Sequence, residues 1–209
     1  MPLGFAPMTQ PTTASAPEAS FWAWFAENEG RLASADPEND LHIFDEVEAQ
    51  LQRVQEGLTF ELELNPEKTG AREFVISGGG DRQLFPTVFS LVKAAPPLKQ
   101  WKALALKPRR VPDLSLQFDN RIYTVDDYRY QSTPTGKDQL DIVLYVDGFD
   151  SDTEEALGSA GYAYLDLLLG EFDVETYLAG IDVLPLPKDN AALKPLQKLV
   201  AEVDALKKN

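Results

Sequence analysis

Hydrophobic residues recur along the chain at two distinct spacings. From Leu58 to Leu64 every second residue is apolar, and Thr59, Glu61 and Glu63 stand between them. This alternation is typical of a β-strand with one buried face. A second set of apolar residues is spaced by three or four positions, which places it on one face of a helix; it consists of Leu41, Phe44, Val47, Leu51 and Val54. The two spacings together predict a protein that contains both strands and helices.

Along the whole chain, these spacings predict the element order α-α-β-β-α-β-β-β-β-β-α-β-α. Short links join most consecutive strands, and strands joined in this way usually pair antiparallel. Residues 171–184 are predicted to be extended, with Gly180 as a bulge or a bend. The sequence therefore predicts an α+β fold in which a largely antiparallel sheet packs against amphipathic helices.

Composition along the chain suggests one domain with a short leader. Residues 1–14 are rich in Pro, Thr and Ala and have no apolar period, so we predict that they are disordered. Residues 15–209 are predicted to form a single α+β domain, because no flexible linker interrupts them. A seam between two subregions is expected near residues 110–113.

Charge and rare residues exclude several classes of function. The chain has no cysteine and one histidine, His42, which leaves no thiolate ligands and little material for a Ser-His-Asp triad. A formal net charge of -15 opposes binding to nucleic acid or to anionic membranes. No apolar run is long enough to cross a bilayer, and the start of the chain lacks the pattern of a secretory signal. We predict a cytoplasmic protein without a cofactor.

Positive charge is concentrated in residues 93–110, where six Lys and Arg residues occur without an Asp or Glu. Lys99, Lys107, Arg109 and Arg110 are candidates for binding an anion or an acidic partner, because guanidinium groups form paired hydrogen bonds with carboxylate and phosphate. The alternative is that these cations neutralise the protein's own acidic residues.

A triple glycine, Gly78, Gly79 and Gly80, lies between a predicted strand and a predicted helix. Phosphate-binding loops occur in this setting, because small residues let backbone amides approach an anion. The sequence matches neither common phosphate-loop pattern, and Asp81 follows directly. The alternative is a plain loop before the helix.

Acidic residues dominate from Asp138 to Pro187, where twelve Asp and Glu occur without a Lys or Arg. Asp147, Asp150, Asp152 and Glu155 are close enough in sequence to suggest a site for Ca²⁺ or Mg²⁺. They do not match the EF-hand spacing, and acids are common at helix N-termini for electrostatic reasons. We therefore expect capping of a helix and no metal.

Glu171 and Asp173 are the candidate catalytic residues. Two neighbouring carboxyl groups can act as acid and base when their surroundings separate their pKa values. The alternative is that both residues cap strand ends or pair with Lys102 and Arg109.

Three fragments resemble a group of uncharacterised bacterial proteins that share a domain of unknown function. They are Phe21-Trp22-Ala23-Trp24-Phe25, the run from Ala95 to Trp101 that leads to Lys107-Pro108-Arg109, and Leu169-Gly170-Glu171 before Asp173. The resemblance implies a bacterial origin and a single structural unit, and it implies no activity.

Three functions remain open from the sequence. The first is a non-enzymatic protein that binds another macromolecule, with a protein as the expected partner, through its charged surface. The second is a hydrolase or lyase that uses carboxylates, with or without a divalent metal. The third is small-anion binding at the glycine loop.

Overall fold

The computed structural model describes residues 16–36, 39–64, 70–118 and 120–208. The predicted leader, residues 1–14, lies outside these ranges. The helices are α1 (Ala16–Ala33), α2 (His42–Gln52), α3 (Phe85–Lys93), α4 (Glu154–Leu169), α5 (Glu171–Tyr177) and α6 (Leu199–Leu206). The strands are β1 (Thr59–Leu62), β2 (Arg72–Ser77), β3 (Trp101–Ala105), β4 (Leu116–Phe118), β5 (Arg121–Tyr123), β6 (Tyr128–Thr135), β7 (Gln139–Val146), β8 (Leu178–Pro185) and β9 (Lys194–Pro195).

The α+β prediction is confirmed. The strands form three sheets, with the orders β1-β2-β3, β4-β5 and β8-β7-β6-β9. The pairs β1-β2, β4-β5, β6-β7 and β6-β9 are antiparallel, and β7-β8 is parallel. The parallel pair follows from the connection through α4 and α5, which is long enough to return the chain in the same direction.

The prediction that residues 171–184 are extended is wrong for its first half. Residues Glu171–Tyr177 form helix α5, and strand β8 begins only at Leu178. Gly170, at φ 77°, turns the chain between α4 and α5, and an acidic side chain then starts the new helix. Val174 and Leu178 are both buried and are four residues apart, a spacing that also suits a helix. The two-residue strand β9 was not predicted either.

The chain folds into two compact units. The first comprises Gln83–Ala103 and the described residues up to Gly79, and the second comprises Gly80–Arg82 and the described residues from Leu104 onward. The expected seam at 110–113 therefore falls inside the second unit. That residues 15–209 behave as one domain stays a prediction.

In the first unit, aromatic side chains of α1 pack on the sheet. Phe25 is fully buried, and its ring lies 4.6 Å from the ring of Phe74 on β2 in a stacked arrangement. Trp22 is 3% exposed and its indole N–H donates to the carbonyl of Leu91 at 2.7 Å, so the polar edge of the ring is satisfied inside the core. This packing fixes α1 against both β2 and α3.

In the second unit, one face of the four-stranded sheet packs on α4 and α6. Leu144 of β7 and Tyr128 of β6 are fully buried, and the Tyr128 hydroxyl donates to the carbonyl of Leu157 at 2.7 Å. A side chain at Gly161 would place its Cβ 3.0 Å from Leu144. Gly161 therefore permits close contact between α4 and the sheet, and the core lies between them.

Among the helices of the described residues, none combines the length and the apolar character required to span a membrane.

Candidate functional site

The basic segment, residues 93–110, is divided between the two units. Lys99 belongs to the first unit, where its backbone N–H and that of Gln100 donate to the Glu29 carboxylate at 2.8 and 2.9 Å. The Lys99 side chain is exposed. Glu29 itself is only 8% exposed. This carboxylate therefore holds the start of β3, a role that no sequence pattern indicates. Lys107, Arg109 and Arg110 belong to the second unit.

Arg109 lies at the centre of an ion-pair group that we call the Arg109 cluster, formed with Asp173, Asp204 and Lys207. One guanidinium nitrogen, Nη2, lies 2.7 Å from Asp173 and 2.8 Å from Asp204. Nε also donates to the carbonyl of Leu169 at 2.9 Å. Lys207, which follows the last residue of α6, lies 2.5 Å from Asp173. The guanidinium therefore binds carboxylates of its own chain.

The electrostatics of the Arg109 cluster match its geometry. The hydrogen bond to Asp204 raises the pKa of Arg109 above its ordinary value and outweighs the opposing effect of burial. The same hydrogen bond holds the pKa of Asp204 below its usual range. Asp173 is 7% exposed, so its charge is stabilised by two cations rather than by water.

Glu171 is a buried carboxylate that binds backbone amides. It is 2% exposed, and its two oxygens accept the N–H groups of Lys107 at 3.1 Å and Gly80 at 3.4 Å. Its own N–H donates to the carbonyl of Lys107 at 2.9 Å. The Lys107 ammonium lies 3.5 Å from Asp166, and the N–H of Arg110 donates to the carbonyl of Leu167. These bonds fasten residues 107–110 to the junction of α4 and α5.

Gly170 makes this junction possible. A Cβ at this position would lie 3.0 Å from the carbonyl oxygen of Lys107 and 3.1 Å from the amide nitrogen of Arg109. Its φ of 77° also belongs to the region that favours glycine. Two of the fragments quoted above, Lys107-Pro108-Arg109 and Leu169-Gly170-Glu171, are thus direct neighbours, and their residue types follow from the packing between them.

The carboxylates of the candidate acid–base pair, Glu171 and Asp173, are engaged in these hydrogen bonds and ion pairs.

A third carboxyl group, that of Glu175, has a raised pKa. Burial and the nearby Asp166 and Glu171 raise this pKa, although Arg82 acts in the opposite direction. A carboxyl of this kind retains its proton to higher pH than usual. Glu175 follows Glu171 by one helical turn, and this i,i+4 spacing was the only signal available in the sequence.

The glycine loop uses its amides internally. The N–H of Gly79 donates to the Ser77 hydroxyl at 2.9 Å in the first unit, and the N–H of Gly80 donates to Glu171 in the second. Gly79 and Gly80 have φ of 60° and 86°, so the loop does require glycine. Gly78 also has an interaction partner. The Glu171 carboxylate thus binds an amide of the loop that was predicted to bind an external anion.

Two of the four candidate metal ligands, Asp147 and Asp150, have contacts within the chain. Asp147 pairs with Arg121 at 2.6 Å. The Asp150 carboxylate accepts the N–H groups of Asp152 and Thr153 at 2.9 and 3.2 Å in the turn that precedes α4, and the expected side-chain cap of the helix is not formed. Glu155 lies in the first turn of α4, as expected for an acid near a helix N-terminus. Within the described ranges, no group of three or more His, Asp or Glu is arranged to hold a metal ion.

A second polar group surrounds Glu202 of α6. Its carboxylate accepts the hydroxyls of Tyr130 at 2.8 Å and Ser132 at 2.7 Å, and Lys194 of β9 lies at 2.5 Å. Burial acts to raise the pKa of Glu202, but hydrogen bonds from Lys194, Ser132 and Tyr130 lower it overall. The Ser132 hydroxyl donates to a carboxylate that is already paired with Lys194. The contacts of Glu202 therefore join α6 and β9 to β6.

The outer sheet face is the side of the four-stranded sheet opposite the core. Its positions follow from the register, which aligns Gln131 of β6, Val143 of β7 and Asp182 of β8 in one row. Asp141 and Asp182 are exposed there, and neither forms an ion pair within the described residues. The neighbouring apolar positions are Val143 and Tyr145, which are half-buried, and Leu184, which is 44% exposed.

An open pocket of about 450 Å³ lies in the first unit. Its lining residues are Ala16, Pro17, Ser20, Phe21, Gln50 and Arg53. None of the site residues predicted from the sequence lines it.

Comparison with protein-family models, curated proteins and solved structures finds no match to this chain.

Proposed function

We propose that this protein is a non-enzymatic bacterial protein that binds a basic protein partner through the outer sheet face. The observation that carries the proposal is the contrast between its charges. Lys107 and Arg109 face carboxylates of their own chain. Asp141 and Asp182 instead face outward, beside half-buried apolar side chains and the exposed Leu184.

The net charge gives this face its selectivity. A formal charge of -15 attracts cationic proteins over distances of several ångströms and repels nucleic acid and acidic proteins. Val143, Tyr145 and Leu184 supply the apolar contact area that holds a partner after the first encounter. The acids thus govern which partner approaches, and the apolar residues govern how long it stays.

Hen lysozyme is a suitable basic probe, and its succinylated form is the matched control, because succinylation reverses the charge of its lysines. We expect binding to lysozyme at about 20 mM salt, weaker binding at about 500 mM salt, and none to the succinylated form, measured by isothermal titration calorimetry. Equal binding of both forms, or no binding of lysozyme at low salt, would contradict the proposal.

Specificity for this face is tested with the double variant Asp141→Asn, Asp182→Asn. We expect it to bind lysozyme less tightly than the wild type. The control is Asp45→Asn with Glu48→Gln, which removes the same number of exposed charges from α2 in the first unit. Equal weakening by both pairs would show that only net charge matters.

A further inference from the structure

Strand β8 is the end of the four-stranded sheet. It contains eight residues and pairs with β7 on one side, and the described residues place no strand on its other side. A strand in this position presents backbone N–H and C=O groups that can pair with another chain.

Two hydrogen bonds show which backbone groups of β8 point outward. The N–H of Leu186 donates to Val146 of β7, so even-numbered residues in this part of the strand direct their amides toward β7. The carbonyl of Ile181 accepts a hydrogen bond from the hydroxyl of Tyr162. Tyr162 belongs to α4, is 48% exposed and contacts the edge of β8 that faces away from β7. Ile181 and Val183 therefore direct their backbone groups away from the sheet. Apart from strand pairing, no acceptor for their N–H groups is found in the described part of the chain.

We propose that an extended segment of the basic partner binds here as a fifth strand, paired with Ile181 and Val183. This inference rests on the proposed function and specifies how the partner docks. Backbone pairing supplies affinity in such complexes, and alternate side chains supply specificity.

The residues beside the open edge define the chemistry of the segment. On the outer sheet face an added strand lies beside Asp182, which favours Lys or Arg. On the other face it lies beside Ile181, Val183 and the Tyr162 ring, which favours apolar residues. Because side chains of a strand alternate between faces, the segment should alternate basic and apolar residues.

Charge favours a basic partner over a second copy of this chain. Pairing two β8 strands would bring both Asp182 carboxylates to one interface between molecules of formal charge -15 each. Asp182 on the open strand acts against such self-association, as charged residues on edge strands generally do.

The probe is a short synthetic peptide in which Lys and Val alternate, measured by fluorescence anisotropy with the full chain. Its first control is an isomer with all Lys residues preceding all Val residues. Two further peptides carry N-methyl groups on either the Lys amides or the Val amides. Only alternate amides of an added strand face β8, so we expect one methylated set to abolish binding and the other to be tolerated.

Variants of the protein test the same contact. We expect Asp182→Lys to weaken binding of the alternating peptide by at least about tenfold, since an attractive charge becomes repulsive. The matched control is Glu48→Lys on α2, which changes the net charge equally and should alter binding by less than about twofold. Val183→Pro removes an outward N–H and should abolish binding. Circular dichroism melting checks that each variant is folded.

Each outcome decides between the two proposals. Equal binding of the isomer, or of both methylated peptides, would overturn strand addition and leave charge-driven binding intact. Lysozyme binding without any peptide binding would do the same. A wild-type dimer that Val183→Pro dissociates, seen by sedimentation equilibrium, would assign the open edge to a second copy. Failure to bind peptides and lysozyme alike would overturn both proposals.

Discussion

The Arg109 cluster and the outer sheet face both contain aspartates of the second unit, but they differ in what faces those aspartates. Asp173 is nearly buried and lies within ion-pair distance of Arg109 and Lys207. Asp182 is exposed and forms no ion pair within the described residues. The two aspartates therefore have different roles. Asp173 stabilises the fold, whereas Asp182 remains accessible to a partner.

Local sequence charge is a poor guide to the surface charge of this protein. The basic segment is the most positive part of the sequence, yet Arg109 is directed at Asp173 and Asp204. A buried carboxylate needs a cation beside it, whereas an exposed one is stabilised by water. Variants that change stability should therefore map to the Arg109 cluster, and variants that change binding should map to the outer sheet face.

The largest effect is expected from Gly170→Ala. The new Cβ would lie about 3.0 Å from a backbone oxygen, at a φ that alanine rarely adopts. We expect the free energy of unfolding, measured with urea, to fall by about 3 kcal/mol. The control is Gly136→Ala, whose φ of 62° is also unfavourable but whose surroundings are open. A loss of about 1 kcal/mol is expected there, and equal losses would show that contact at the junction is unimportant.

Arg109→Ala comes next. It leaves the nearly buried Asp173 with Lys207 alone, and we expect a loss of about 2 kcal/mol, less than for a fully buried pair because the Arg109 side chain is 32% exposed. Lys208→Ala removes an exposed cation after α6 and should cost less than about 0.5 kcal/mol. If both variants melt at the same temperature, the Arg109 cluster contributes nothing to stability.

The pH dependence of the same cluster gives a third prediction. The pKa of Asp204 is lowered in the folded state, so its stabilising effect is present above its ordinary pKa of about 4 and is lost as the pH falls through the lower folded value. The stability difference between wild type and Arg109→Ala should therefore narrow below about pH 4. Urea titrations across acidic pH measure this, and a constant difference would contradict it.

Glu175→Gln should change stability in the opposite direction. Its pKa is raised, so the folded state disfavours the charged carboxylate at neutral pH, and removing the charge should stabilise the protein. Solvent screens a half-buried group, so we expect a gain below about 1 kcal/mol. The gain should vanish below about pH 4, where Glu175 is protonated in both states. A loss of stability at pH 7 would show that attraction to Arg82 outweighs the effects of burial and of the neighbouring acids.

The smallest effect is expected from Asp182→Asn. An exposed carboxylate without an ion pair supports no part of the fold, so stability should change by less than about 0.5 kcal/mol. The same substitution should weaken binding to lysozyme. A large loss of stability would show that Asp182, like Asp173, supports the fold. The outer sheet face would then not differ from the Arg109 cluster in this respect.

Periodic apolar positions predict most of the fold. Leu58 to Leu64 includes strand β1, and Leu41 to Val54 includes helix α2. Helix α5 was missed because its seven residues provide barely two turns of periodicity, and its apolar residues also suit a strand. The parallel pairing of β8 with β7 was missed because strand direction depends on the connection, which here includes that unrecognised helix.

Residue types in the candidate site were predictable, but their partners were not. The alternative that Arg109 pairs with Asp173 was open from the sequence, and the structure places them 2.7 Å apart. Nothing pointed to Asp204 or Lys207, which are about a hundred residues away in sequence from Arg109. Glu29 and Glu202 were missed for the same reason, because each acts through hydrogen bonds to residues that only the fold brings near.

The order of the four-stranded sheet has a consequence for how it forms. Strands β6 and β7 are joined by a short turn and can pair early, because closing a short loop costs little conformational entropy. Strand β8 follows β7 only after residues 147–177, so we expect its pairing to be a late event in folding. Substitutions in β8 should accordingly accelerate unfolding and leave the folding rate almost unchanged. During synthesis we therefore expect the edge of β7 opposite β6 to remain unpaired until β8 has been made.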